Sequence, residues 1–158
     1  MRYYKLNKDK SLELYNDKEI IVEKKACYTN IFMIFSCHKY WDNFFYGNWK
    51  IAYGYMQISE DENLKNMYCR HAFILDENEK VIDVTLALLC DKKSDKNRSI
   101  NEECKSENKY IVMKTFNAKE YLDALEQEDG DTCLYMTLKD EYSKLLEWSW
   151  ENGIMLCG

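Results

Sequence analysis

The sequence predicts an α+β domain built on an antiparallel sheet, and three observations predict it. Trp49–Gln57 alternates with a period of two. Trp49, Ile51, Tyr53 and Tyr55 fall on one face and Lys50, Ala52, Gly54 and Met56 on the other, which is the pattern of a strand. Two apolar segments, Met67–Leu75 and Lys80–Leu89, flank the polar, charge-rich bend Asp76–Lys80 and read as a β-hairpin. Helical signals lie on either side of these strands in the chain rather than between them. Strands grouped together with helices before and after them are the mark of α+β architecture.

Taken in order, Arg2–Leu6 reads as a short first strand and Ser11–Val22 as a helix with a break at Asn16-Asp17. Cys27–Trp41 is apolar nearly all round. As a helix it is the buried one, packed on the sheet, although its β-branched and aromatic content also admits a strand. Asn43–Asn48 is an aromatic loop, and Ser59–Asn66 a polar, acidic turn between the alternating strand and the hairpin. Asp91–Asn108 is of low complexity and reads as a surface loop. Tyr110–Phe116 is a further strand. Asn117 with Glu120 forms a capping box that starts a helix running to about Glu128, and Gly130 ends that region. Thr137 reads as the cap of a last helix that runs to about Asn152 and stops at Gly153, with Tyr142, Leu145, Leu146, Trp148 and Trp150 as its docking side. One domain over 1–158 accommodates all of this, with a core over about 11–90 and a C-terminal strand and helices over about 109–153.

Composition narrows the function. Apolar residues make up 46% and aromatic residues 15% of the chain, which is too much for a disordered protein. A net charge of −6 argues against a nucleic-acid partner, whose affinity is mostly cationic. No apolar run is long enough to span a membrane, and no apolar signal-peptide core follows Met1-Arg2-Tyr3-Tyr4-Lys5, so a cytoplasmic protein without a membrane partner is expected. Seven cysteines at irregular spacings, with no C-x-x-C pair, read as reduced thiols. Lysine far outnumbers arginine and proline is absent. That bias is typical of translation from an AT-rich genome, bacterial or phage, and says nothing of chemistry.

The chemistry lies in the hairpin and the helix before it. His71 sits on the first arm and Asp83 on the second, and antiparallel pairing brings the arms together. A carboxylate beside an imidazole holds one tautomer and supports a positive charge on the ring. Such a pair calls for a nucleophile that must lose a proton. Cys27 begins the buried helix, where backbone N–H groups and the helix dipole favour a thiolate and also provide for an oxyanion. Cys27 is thus the candidate nucleophile, His71 the acid and base, and Asp83 the orienter. Trp49, Tyr53 and Tyr55 are candidates for substrate contact, within an aromatic set that also includes Trp41, Phe44, Phe45 and Tyr46. Each residue also has a purely structural use: a core thiol, a strand histidine that satisfies a neighbour, a carboxylate that caps backbone groups. Cys37-His38 with Cys69 and His71 raises a zinc site, but the spacing is wrong for one; no metal and no cofactor is expected.

Cys27 at a helix start, the strand Lys50-Ile51-Ala52-Tyr53-Gly54-Tyr55, His71-Ala72-Phe73 and Val81-Ile82-Asp83-Val84-Thr85 together resemble the transglutaminase-like branch of the papain-like cysteine enzymes. Those proteins carry a cysteine on a buried helix, a strand ending in Gly-Tyr, an HAW-type strand and a DPT-type strand. The resemblance covers Cys27 to Thr85. It implies a papain-like, transglutaminase-like core and a Cys27-His71-Asp83 triad. This chain departs from the pattern with Lys25-Ala26 before the cysteine where glycine is usual, Phe73 for Trp and Val84 for Pro. No Gln closely precedes Cys27 as an oxyanion donor. The activity implied is acyl chemistry through a thioester, as in a protease, amidase, deamidase or acyltransferase, on a protein, peptide or small amide substrate. The alternative is a catalytically inactive binding protein on the same fold, such as a phage-encoded inhibitor of a host protein.

Overall fold

The sheet is laid around β2 (Lys50–Gln57). In the computed structural model, which describes residues 1–59, 61–91 and 99–158, β2 pairs antiparallel with β3 (Met67–Leu75) on one side and β5 (Tyr110–Phe116) on the other. β1 (Tyr3–Tyr4) lies beyond β5. On the far side of β3 two short strands share its outer edge: β4 (Val81–Ile82) pairs antiparallel with Ile74–Leu75, and β6 (Met155–Cys157) pairs in parallel with Met67–Cys69. Among the described residues the strand order is therefore β1-β5-β2-β3-β4, with β6 also on β3. The edge between β6 and β4, at Arg70–Phe73, has no strand partner among the described residues.

Helices cover both faces, which is why only Lys50 of the alternating strand is exposed. Ile51, Tyr53, Ala72 and Ile74 pack on one face with α2 (Cys27–Ser36) and α6 (Ala118–Gln127). Ala52, Phe73, Leu75 and Tyr110 pack on the other with Leu86 of α4 (Val84–Asp91), against which α1 (Lys8–Tyr15) lies. A third cluster joins Tyr55 and Ile111 to Leu145 of α7 (Lys139–Glu151). Gly54 has a steric reason. β2 and β5 shift register there, and a Cβ would meet the Ile111 carbonyl oxygen at 1.9 Å.

The mixed α+β class holds, and β3, β5 and the capping box at Asn117 lie where the sequence puts them. Five expectations need correction. The second hairpin arm was expected as strand to Leu89, but the ladder ends at Ile82. Asp83 Oδ1 accepts the Leu86 N–H at 3.0 Å and its carbonyl accepts the Ala87 N–H at 3.2 Å, so Asp83 caps α4. The first helix begins earlier and ends sooner than Ser11–Val22. Asn7 accepts the Lys10 N–H at 3.1 Å and starts it, and it stops at Asn16, near the expected break. The chain turns at Cys37 into a 3-10 turn at His38–Tyr40 and then α3 (Trp41–Phe45), so α2 is shorter than Cys27–Trp41 and part of the expected loop at Asn43–Asn48 is helical. The last helix starts at Lys139. Thr137 does not cap it, because the cap position falls on Leu138, which makes no side-chain cap bond, and Trp150 is 72% exposed rather than docked. Within Asp91–Asn108, α5 (Ile100–Glu103) replaces part of the expected loop, and residues 92–98 of that expectation lie outside the described residues. No helix among the described residues is long and apolar enough to cross a membrane.

Candidate active site

Cys27 is the first residue of α2. The chain reaches it through Lys25, which has a left-handed φ of 59°, and Ala26, which offers no side-chain cap, so the N–H groups of the first turn keep their capacity for a ligand. This approach is held by Asn30, one turn into the helix and fully buried. Its amide accepts from the Glu23 N–H at 2.9 Å and donates to the Glu23 carbonyl at 2.8 Å. A further bond of 2.8 Å goes to Thr85 Oγ1 in the first turn of α4. One side chain thus ties together the approach loop, the thiol-bearing helix and the helix that Asp83 begins.

The unpaired edge of β3 lets α2 come close. The Cys27 sulfur sits beside the His71 ring and the Ala72 backbone, both of which favour its thiolate. His71 Nε2 is 2.7 Å from Asp83 Oδ2, with both side chains buried. That carboxylate oxygen also accepts the Tyr110 hydroxyl at 2.9 Å, while Oδ1 caps α4. The Asp83 backbone is held as well, since its N–H donates to Ser11 Oγ at 3.0 Å, and Ser11 donates to the Asn7 carbonyl at 2.7 Å. Each donor to the carboxylate comes from a different element, His71 from β3, Tyr110 from β5 and Leu86 from α4. The residues that support it are Asn30, Ser11 and Tyr110.

The electrostatics follow from this packing. Burial works against charge on His71, but the Asp83 carboxylate beside it and the Cys27 sulfur raise its pKa well above 6.5. Burial likewise pushes the Cys27 thiol up, yet the His71 hydrogen bond and charge and the Ala72 N–H bring it below 9.0. Asp83 is also pushed up by burial, and His71, the Leu86 N–H and Tyr110 hold it below its ordinary 3.8. Both shifts act in the same direction, toward a thiolate–imidazolium pair backed by a carboxylate. Such a pair can attack an electrophilic carbonyl and hand a proton to the group that leaves.

The candidate contact residues divide. Trp49 is 2% exposed and lies at the other end of β2, its Nε1 donating to Glu77 at 2.8 Å and its ring against Tyr40 and Phe44. It offers a substrate no surface. Phe45 and Tyr46 are exposed, but near Trp49 and beyond the C-terminal end of α2, a helix length of about 15 Å from Cys27. Tyr53 is buried, stacked under Tyr28 with ring centroids 5.6 Å apart and closed by a bond to the Thr132 carbonyl. Tyr55 lines the groove that holds Arg70 and Tyr142, whereas the hollow that Trp49 edges with Phe44 and Phe45 is a separate one. His38 stacks on Trp41 at 4.6 Å, and among the described residues no group of three or more His, Cys, Asp or Glu is placed to hold a metal.

No protein-family model matches this chain, and no curated protein and no solved structure matches it either.

Proposed function

We propose that this protein carries out thiol-dependent acyl chemistry on a papain-like, transglutaminase-like core. The observation that carries the reading is the line of Cys27, His71 and Asp83, in which the buried His71–Asp83 hydrogen bond of 2.7 Å stands beside a sulfur at the start of a buried helix. A surface thiol or a core thiol needs no such line.

In this reading the Cys27 thiolate attacks the carbonyl carbon of an amide or ester. The oxyanion forms against the N–H groups of the first turn of α2, where the helix dipole favours negative charge. The His71 imidazolium gives its proton to the leaving amine or alcohol, the C–N or C–O bond breaks and a thioester remains. Water or an amine then attacks the thioester while neutral His71 takes its proton, and the thiolate leaves with the product acid or amide. Asp83 keeps the ring oriented and supports its charge in both halves. The first half requires imidazolium and the second imidazole, so a histidine with one face to sulfur and one to carboxylate serves both.

The test is the pH dependence of iodoacetamide alkylation at Cys27, followed by mass spectrometry in the wild type, His71→Ala and Asp83→Ala. A reactive thiol with an apparent pKa below that of a free thiol, rising in both variants, supports the reading. A thiol that is inert, or alike in all three proteins, favours the non-catalytic alternative of a binding protein on the same fold.

A further inference from the structure

A groove of about 400 Å³ is lined by Tyr55, Arg70, Tyr135, Lys139, Tyr142 and Gly158 among others, and its link to the thiol runs through Arg70. The chain as a whole is acidic, yet no lining side chain is Asp or Glu, and two are cationic. Arg70 is the residue before His71, and its guanidinium carbon lies 5.6 Å from the ring centre of Tyr28, the residue after Cys27. The rings of Tyr142 and Tyr135 hold it at 4.1 and 5.7 Å. Aromatic faces fix a guanidinium without cancelling its charge. Its one hydrogen bond goes to the Cys133 carbonyl at 3.2 Å, and among the described residues no carboxylate forms an ion pair with it. Its Nε is buried and has no acceptor.

An unpaired donor in a buried position is costly and asks for an explanation. A guanidinium fork is shaped for a carboxylate, and Lys139 adds a second, more mobile charge at the same groove. We infer that this groove is a carboxylate-binding subsite that selects acyl donors carrying an acidic group near the reacting carbonyl. The inference rests on the acyl-transfer reading for its role. It does not rest on that reading for the binding itself, since the guanidinium would take a carboxylate whether or not the thiol reacts.

Two measurements test it. In the first, Cys27 is labelled with maleimides that carry a carboxylic acid at the end of short chains of increasing length, each paired with its primary amide. At one or more lengths the acid should label Cys27 about tenfold faster than the amide, the size expected for a charge-assisted hydrogen bond. The advantage should vanish in Arg70→Gln and shrink in Lys139→Gln. In the second, the Nε–Hε resonance of Arg70, assigned by its loss in Arg70→Lys, is followed by NMR in Cys27→Ser. It should shift on titration with hexanoate and stay in place with hexanamide. Equal labelling by acid and amide together with an unmoved resonance would overturn the subsite while leaving a reactive Cys27 intact. A shifting resonance beside a thiol inert to every reagent would uphold the carboxylate subsite and remove the acyl-transfer reading.

Discussion

Two aspartates at the ends of one short segment, Asp76 and Asp83, are both buried, at 5% and 1% exposure, and both accept three side-chain hydrogen bonds. Asp76 closes the hairpin. It takes the N–H groups of Asn78 and Lys80 at 2.8 and 2.9 Å and the Asn7 amide at 2.8 Å. Those partners are neutral amides that keep their protons, so the arrangement is complete in itself. Asp83 takes one backbone N–H, one hydroxyl and one imidazole, and the imidazole goes on to a thiol. Burial and hydrogen-bond number are the same at both ends. What separates a turn from a candidate site is whether a partner can change its charge, and whether something beyond that partner responds.

The sharpest way to break this contrast is to remove the responding groups. Cys27→Ser should abolish site-selective alkylation and any acyl turnover. His71→Ala should slow alkylation of Cys27 near neutral pH by roughly 100-fold, a general acid–base contribution, and return its apparent pKa toward an ordinary thiol. Asp83→Asn and Asp76→Asn form the matched pair. The first should cut Cys27 reactivity about tenfold. The second should leave it unchanged while costing about 2 kcal/mol of stability in a urea titration, because it damages hydrogen bonds to a charged group. Equal effects on reactivity would erase the distinction drawn here.

A pH series sharpens it further. His71 has a raised pKa, so its pairing stabilises the fold fully below about its unfolded value near 6.5 and loses that contribution as pH rises through the folded value. Asp83 has a lowered pKa, so its contribution is present above about 3.8 and is lost as pH falls through the folded value. The stability gap between wild type and Asp83→Asn should therefore be widest between these two limits and narrow on both sides. A gap that is flat with pH would mean that His71 carries no extra charge in the fold. The smallest effect belongs to Tyr110→Phe, which removes one hydrogen bond to Asp83. It should cost about 1 kcal/mol in the same titration and change alkylation by less than about threefold.

Much of the frame was legible because its signals are local. The capping box at Asn117 and the strands β3 and β5 announce themselves within a few residues. The run from Val81 to Cys90 was not, since it is apolar apart from Asp83 and Thr85 and periodicity does not separate a buried helix from a buried strand there. Its one signal was Asp83 itself, which is a capping residue as well as a hairpin partner. β6 was missed because three residues in parallel pairing leave no short-range trace. The pairing of His71 with Asp83 could be reasoned from the hairpin, and Cys27 from its place at a helix start. Ser11 and Tyr110 could not, because each reaches the site from an element distant in sequence, and Asn30, on the cysteine's own helix, gives no local sign of its bond to Thr85. Trp49 was misleading for a plain reason: an aromatic residue on an alternating strand looks the same whether the face above it is a groove or a helix.

The gap on the outer edge of β3, between β6 and β4, bears on solubility. An open sheet edge offers backbone groups to any passing strand, and the gap, Arg70-His71-Ala72-Phe73, runs directly into the apolar Ile74-Leu75 that β4 covers. The start of α2 is what stops it, with Cys27 set beside the Ala72 backbone that another chain would otherwise reach. The same helix end is thus a plug against self-association. Substitutions that loosen it to widen the groove, Asn30→Ala among them, should register first as light scattering on warming, before any gain in the range of molecules admitted.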